Sequence, residues 1–143
     1  MIPYENINLL GTTIHKMRMS EVITACDESI RTRNPILIGV VNAAKLVKAR
    51  HDAKLRASLA ETTFIVADGA PVVWLSKLCG CGLPERVAGI DIMSELLVLA
   101  AREQYGVFFL GATQEVVEQV VDYARKHHPG VRIAGYRNGY FTK

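Results

Sequence analysis

The sequence predicts an α/β fold built on parallel strands, and three observations predict it. The apolar runs Ile36 to Val41, Phe64 to Ala67 and Val107 to Leu110 are continuous rather than alternating, as in strands covered on both faces. Stretches of helical period lie between them. Each strand also ends abruptly at a polar or small-residue turn: Asn42, Asp68-Gly69 and Gly111-Ala112. Strands alternating with helices at this spacing argue for βαβ units.

Taken in order, Ile7 to Leu10 and Thr12 to Ile14 are short β-type runs broken by Gly11, which predicts a bent strand or small hairpin at the N-terminus. A helix follows with Ser20 as N-cap, Glu21 in its first turn and Val22, Ile23, Cys26 and Ile30 on one face, and Asn34-Pro35 ends it. After the strand to Val41, Asn42 opens a helix-forming stretch, and His51-Asp52 punctuates the Ala/Leu/Lys/Arg-rich segment into two helical pieces. A strand from Thr63 to Ala67 delivers Asp68, and Pro71 suits the first turn of a helix running from Val72 to Leu78, with Trp74 expected against the sheet. Beyond the turn-rich CGCGLPERVAG, Asp91 can cap a helix with Ile92, Met93, Leu96, Leu97, Ala100 and Ala101 in period. Val107 to Leu110 reads as a buried strand. Thr113 caps a helix with Val116, Val117, Val120, Val121 and Ala124 inward, and Val131 to Gly135 is the last strand. The expected architecture is a Rossmann-like parallel sheet with helices on both faces and a small β element at the N-terminus. No repeat, low-complexity tract or linker interrupts it, so residues 1–143 are expected to form a single domain.

A chain of 143 residues, half of them apolar and 22% charged, can support its own core and is not disordered. A net charge of +3 and a pI near 8.8, with no dense Lys/Arg run, do not make a nucleic-acid footprint. No apolar stretch is long enough to span a bilayer and the polar start lacks a signal-peptide layout, so a cytoplasmic location is expected. Cys26, Cys79 and Cys81 make no disulfide framework, and Cys79-Gly80-Cys81 lacks nearby histidines for a zinc site.

The candidate chemistry gathers at strand ends, where open α/β sheets bind ligands. Asp68 is either a turn residue bonding the following amides or a general base. Arg86 is either a surface residue paired with Glu85 or Asp91, or a planar fork aimed at a diphosphate. Asn42 can be a helix cap. Gly111 and Ala112, ahead of a helix N-terminus, can hold a phosphate on backbone N–H groups, although no GxGxxG or GxxxxGK[ST] pattern is present.

The segments Val40-Val41-Asn42-Ala43-Ala44-Lys45, Ala67-Asp68-Gly69-Ala70-Pro71-Val72-Val73-Trp74 and Leu83-Pro84-Glu85-Arg86-Val87-Ala88-Gly89-Ile90-Asp91 resemble the WecG/TagA/CpsF family of bacterial glycosyltransferases. Phe109-Leu110-Gly111-Ala112, Pro129 to Gly135 and Gly139-Tyr140-Phe141 continue the match in order. The resemblance implies inverting transfer of a sugar, N-acetylmannosamine or a related hexose, from a UDP-sugar to a polyprenyl-diphosphate-linked sugar in cell-wall polysaccharide (teichoic acid) biosynthesis. It implies Asp68 as general base, Arg86 as the diphosphate arginine, and Asn42, Gly69, Gly111 and Ala112 as substrate-binding residues. It implies no metal or other cofactor, no nucleic-acid partner, and peripheral attachment to the inner membrane face through a C-terminal part that this chain lacks. Val40 stands where family members have the Thr of a Thr-Pro-Asn triplet, and the match covers only the N-terminal portion of the family's length. The alternative is a non-catalytic truncated module that binds a nucleotide sugar or a partner; a second rival, a dinucleotide domain, lacks its Gly-rich fingerprint. Bare apolar strands would favour a homo-oligomer.

Overall fold

The computed structural model describes residues 4–141 and shows a mixed α/β chain that falls into two compact units, divided after Ile92. In the first unit β1 (Asn6–Leu9) and β2 (Thr12–His15) form an antiparallel hairpin around Gly11, whose φ of 83° needs a residue without a Cβ. Helix α1 (Met19–Thr32) follows, then β3 (Ile38–Val41), α2 (Ala43–Ala49), α3 (Ala53–Ala60), β4 (Phe64–Ala67) and α4 (Ala70–Leu78). Helix α5 (Gly89–Glu103) begins in the first unit and ends in the second, which holds β5 (Gly106–Leu110), α6 (Gln114–His127) and β6 (Arg132–Arg137).

The centre of the first unit is the parallel pair β3–β4, in which Ile38 faces Phe64 and Val41 faces Ala67. All four residues of β4 are buried, as its unbroken apolar run predicts. Both of its edges carry hydrogen bonds. On the β3 side the Asp68 N–H donates to the Val41 carbonyl at 2.8 Å; on the other, Ile65 N–H donates to His15 Nδ1 at 3.0 Å and the Ala67 carbonyl accepts from Val87 N–H at 2.8 Å. Ile7, Leu9 and Ile14 from the hairpin, Val41, Leu46, Ile65, Ala67, Val72 and Leu83 share one apolar core. Burying each Val, Leu or Ile side chain among them is worth about 1.5–3 kcal/mol.

Several helix starts differ by a residue or two from expectation, for reasons visible in the caps. Helix α1 begins at Met19, because Arg18 is the cap residue and its N–H donates to Glu21 Oε2 at 2.7 Å; Ser20 is already helical. Helix α5 begins at Gly89, which puts Asp91 in the first turn, where its charge favours the dipole, rather than at the cap. Helices α2, α3 and α6 start where the sequence places them, on Asn42, Asp52 and Thr113.

The second unit is a parallel β5–β6 pair joined by α6, with a register shift between Val107 and Phe108. Gly135 makes that register possible: a Cβ on it would lie 2.8 Å from Phe108 Cε2. Some expectations of burial fail. β5 alternates between half-buried and exposed instead of being buried throughout, with Phe108 58% and Leu110 63% exposed. Trp74, on α4 of the first unit, is 64% exposed, because the helix turns Val72, Val73 and Ser76 inward. Val116 likewise faces outward, and α6 buries Val117, Val121 and Ala124.

His15 ties the hairpin to β4, and burial pushes its imidazole below the ordinary value of 6.5. A group whose folded pKa is depressed gives stability that is present above 6.5 and is lost as pH falls through the lowered value. Thermal unfolding followed from pH 7 into the acid range should therefore show a falling Tm, and His15→Gln should flatten that slope; parallel slopes would remove His15 from the acid response.

Candidate active site

The C-terminal end of β4 is where the chain concentrates its polar groups. Asp68 leaves the strand half-buried, held by its own N–H on Val41, and Gly69 (φ 102°) turns the chain at once into α4. A side chain at that φ would be strained. Eighteen residues later the chain returns: Ser76, fully buried, accepts the Leu83 N–H at 2.9 Å while donating to the Val73 carbonyl at 2.7 Å, and so fixes the loop after α4 to the helix it came from. Val87 then bonds Ala67, which leaves Arg86 beside Asp68.

Arg86 is forked between two carboxylates. Its Nε donates to Asp68 Oδ1 at 3.3 Å and its Nη2 lies 3.5 Å from Asp91 Oδ2. Side-chain exposures of 37% for Asp68, 51% for Arg86 and 55% for Asp91 put all three within reach of solvent. Exposed pairs of this kind contribute about 0–1 kcal/mol. They therefore add little to the fold, and an incoming anion can exchange with them at low cost.

The flanking residue Glu85 has a different task. Its Oε1 accepts the Met19 N–H at the start of α1, 66 residues away in sequence, and its Oε2 lies 3.9 Å from Arg18 Nη1. A carboxylate on an unpaired first-turn amide is the favourable arrangement for a helix N-terminus. Arg86 thus sits between two anchors, Glu85 on α1 and Val87 on β4. Behind them Gly89 packs toward Val40, where an added Cβ would be 3.7 Å from Val40 Cγ2.

Asn42 stands at the end of β3, next to the end of β4 through the Val41–Ala67 register. Its Oδ1 accepts from Lys45 N–H at 2.9 Å, so it is a helix cap whose amide nitrogen is left to point elsewhere. Gly111 and Ala112 belong to the second unit, at the end of β5. There the Gly111 N–H is already given to the Arg137 carbonyl at 3.0 Å, and the Ala112 carbonyl accepts from Gly139 N–H at 2.9 Å. Any anion at this turn must use the amides after Gly111. Ala112 holds φ 56°, unusual for a residue with a side chain.

The first unit thus brings Asp68, Gly69, Arg86 and, through strand register, Asn42 to one strand end. Glu85, Ser76 and Val87 are the supporting residues that local sequence patterns do not reveal. Among the described residues no group of three or more His, Cys, Asp or Glu side chains is placed to hold a metal ion, and the three cysteines are free thiols. No helix among them is long and apolar enough to cross a membrane.

Residues 7–143 match the Glycosyl transferase WecG/TagA/CpsF family. The chain belongs to this family. Two similar relatives carry the name N-acetylglucosaminyldiphosphoundecaprenol N-acetyl-beta-D-mannosaminyltransferase. The one from Bacillus subtilis is 32% identical over 141 residues, which is 97% of this chain and 51% of the relative. The one from Bacillus spizizenii is 38% identical over 93 residues, 65% of this chain and 36% of the relative. The chain spans about half the length, or less, of these curated relatives.

The loop anchors carry a prediction about this WecG/TagA/CpsF chain. Ser76→Ala leaves the Leu83 N–H buried without a partner and should cost about 1–3 kcal/mol in urea unfolding. Glu85→Ala removes the tie to α1 and should cost about 0.5–2 kcal/mol, in the range of a lost helix cap. A Ser76→Ala loss under half a kcal/mol, on the order of a surface substitution, would mean that the loop does not depend on this bond.

Proposed function

We propose that this chain carries the donor-side chemistry of an inverting glycosyl transfer from a UDP-sugar, with N-acetylmannosamine or a related hexose as the sugar, to a lipid-linked sugar. The observation that carries the proposal is Arg86 held between Asp68 and Asp91 at the end of β4, in a chain of this family. The names of the two relatives, which specify an undecaprenyl-diphosphate-linked N-acetylglucosamine, support the acceptor class.

In this reading the acceptor hydroxyl attacks the anomeric carbon from the face opposite the diphosphate, and its proton passes to Asp68. Among the described residues Arg86 engages Oδ1 of Asp68, so Oδ2 is the oxygen taken to receive that proton. The bond from the anomeric carbon to the phosphate oxygen breaks, and the electron pair leaves with UDP. The Arg86 guanidinium then trades its carboxylate contacts for the diphosphate, whose charge grows as the sugar departs. Gly69 keeps the backbone close at the start of α4 and Asn42 contributes its side-chain amide nitrogen; in the second unit, taken by itself, the amides following Gly111 and Ala112 are suited to a phosphate. We assign the electrostatic role to Arg86 and backbone dipoles, without a metal ion. Because the acceptor is a lipid, the reaction belongs at a membrane face, with the enzyme attached peripherally.

A ligand that binds only the native state raises its stability, by about 2.7 kcal/mol at a hundredfold excess over Kd. UDP should therefore raise the Tm of this chain, NAD should not, and Arg86→Gln should abolish the UDP shift; a shift with NAD alone would overturn the reading. In a full-length relative, replacing the aspartate that corresponds to Asp68 by Asn should lower UDP release on a lipid-linked acceptor by about 10²–10⁴-fold, the range for a lost general base, with UDP affinity nearly unchanged. Retained turnover would remove Asp68 from that role.

A further inference from the structure

A cavity lies about 10 Å along β4 from Asp68, toward the opposite end of the strand. It has a volume of about 410 Å³, within the range of small-molecule pockets, and lies between the β1–β2 turn and α3. Thr13 and His15 line it from the hairpin, Arg56 and Thr62 from α3 and the turn that follows, and Leu59 and Ile65 supply apolar surface. Among the described residues no carboxylate lines it; Glu61, adjacent in sequence to Thr62, is not part of its wall.

The polar groups are already oriented. Arg56 Nη1 donates to the Ala49 carbonyl at 2.8 Å and to the Arg50 carbonyl at 3.0 Å, which fixes the guanidinium at the end of α2 and leaves its Nε and Nη2 hydrogens outside those bonds. His15 Nδ1 accepts from the Ile65 N–H, so a neutral ring carries its proton on Nε2 and is a donor there. Burial favours that neutral form. Thr62 Oγ1 donates to the Leu59 carbonyl at 2.7 Å and so faces a ligand as an acceptor. It fits because residue 39 is glycine, where a Cβ would stand 3.1 Å from Thr62 Cγ2. A fixed cation, a neutral ring donor, the Thr13 hydroxyl and one hydroxyl acceptor match a multiply acceptor-bearing anion joined to a hydroxylated body.

We propose that this cavity binds a sugar phosphate monoester, with the phosphate on Arg56 and His15 and a sugar hydroxyl on Thr62. The site is separate from the Asp68–Arg86 centre and does not rest on the reading given to that centre. The test is a titration of the isotopically labelled chain with glucose 6-phosphate, inorganic phosphate and glucose, followed by amide resonances. Glucose 6-phosphate should shift Gly11, Thr13 and Thr62 saturably and more tightly than phosphate or glucose, and Arg56→Gln should weaken it by about tenfold or more, as for loss of a charge-assisted bond. Thr13→Val, an exposed change, should weaken binding while preserving the spectrum elsewhere. The same shifts should survive Arg86→Gln. Absence of a saturable shift at these amides, equal affinity in Arg56→Gln, or shifts that centre on Gly69 and vanish with Arg86→Gln would each overturn the proposal.

Discussion

The first unit depends on one short strand whose two edges are bonded to unlike partners. β4 is only Phe64–Ala67, yet it is buried throughout, so every backbone group it carries must find a partner inside the protein. β3 pairs with one edge; on the other, a histidine ring takes the Ile65 N–H and a returning loop reaches the Ala67 carbonyl. This second edge is a patchwork of a side chain and a single amide. That patchwork brings the hairpin to one end of the strand and Arg86 to the other. The need to satisfy β4 thus also determines which polar side chains stand at its two ends.

The placement of Asp68 was legible in the sequence, because FIVADG reads as a covered strand that stops at an acid. Asn42 and Thr113 were legible as caps for the same local reason. What spacing could not show was which long-range bonds deliver Arg86. The Val87 to Ala67 contact and the Glu85 tie to Met19 join segments far apart in the chain, and nothing in PERVAGID distinguishes a buried-loop anchor from a solvated glutamate. The family resemblance ranked Arg86 above other arginines; the bonds explain how it reaches Asp68.

The failures share a physical origin. An unbroken apolar run such as VFFL does not say whether both faces of its strand are covered, and in β5 the side chains of Phe108 and Leu110 are exposed. Trp74 was expected inward for its size alone, whereas the helix period turns its neighbours Val72, Val73 and Ser76 to the core instead. Hydrophobicity reports a tendency to be covered; it does not name the cover. His15 escaped notice because an isolated histidine in a short strand has no signature, and its value lies in bonding the Ile65 amide.

Arg86 rests between two acids at the end of β4. The cluster holds two carboxylates to one guanidinium, so its formal charge is negative although it contains the arginine that the proposed reaction needs. An anion approaching Arg86 would meet repulsion from both acids along with attraction to the fork, and because all three side chains reach solvent that repulsion is screened. In the proposed reaction the gain for a diphosphate would then lie in parallel hydrogen bonds to the planar fork more than in net charge.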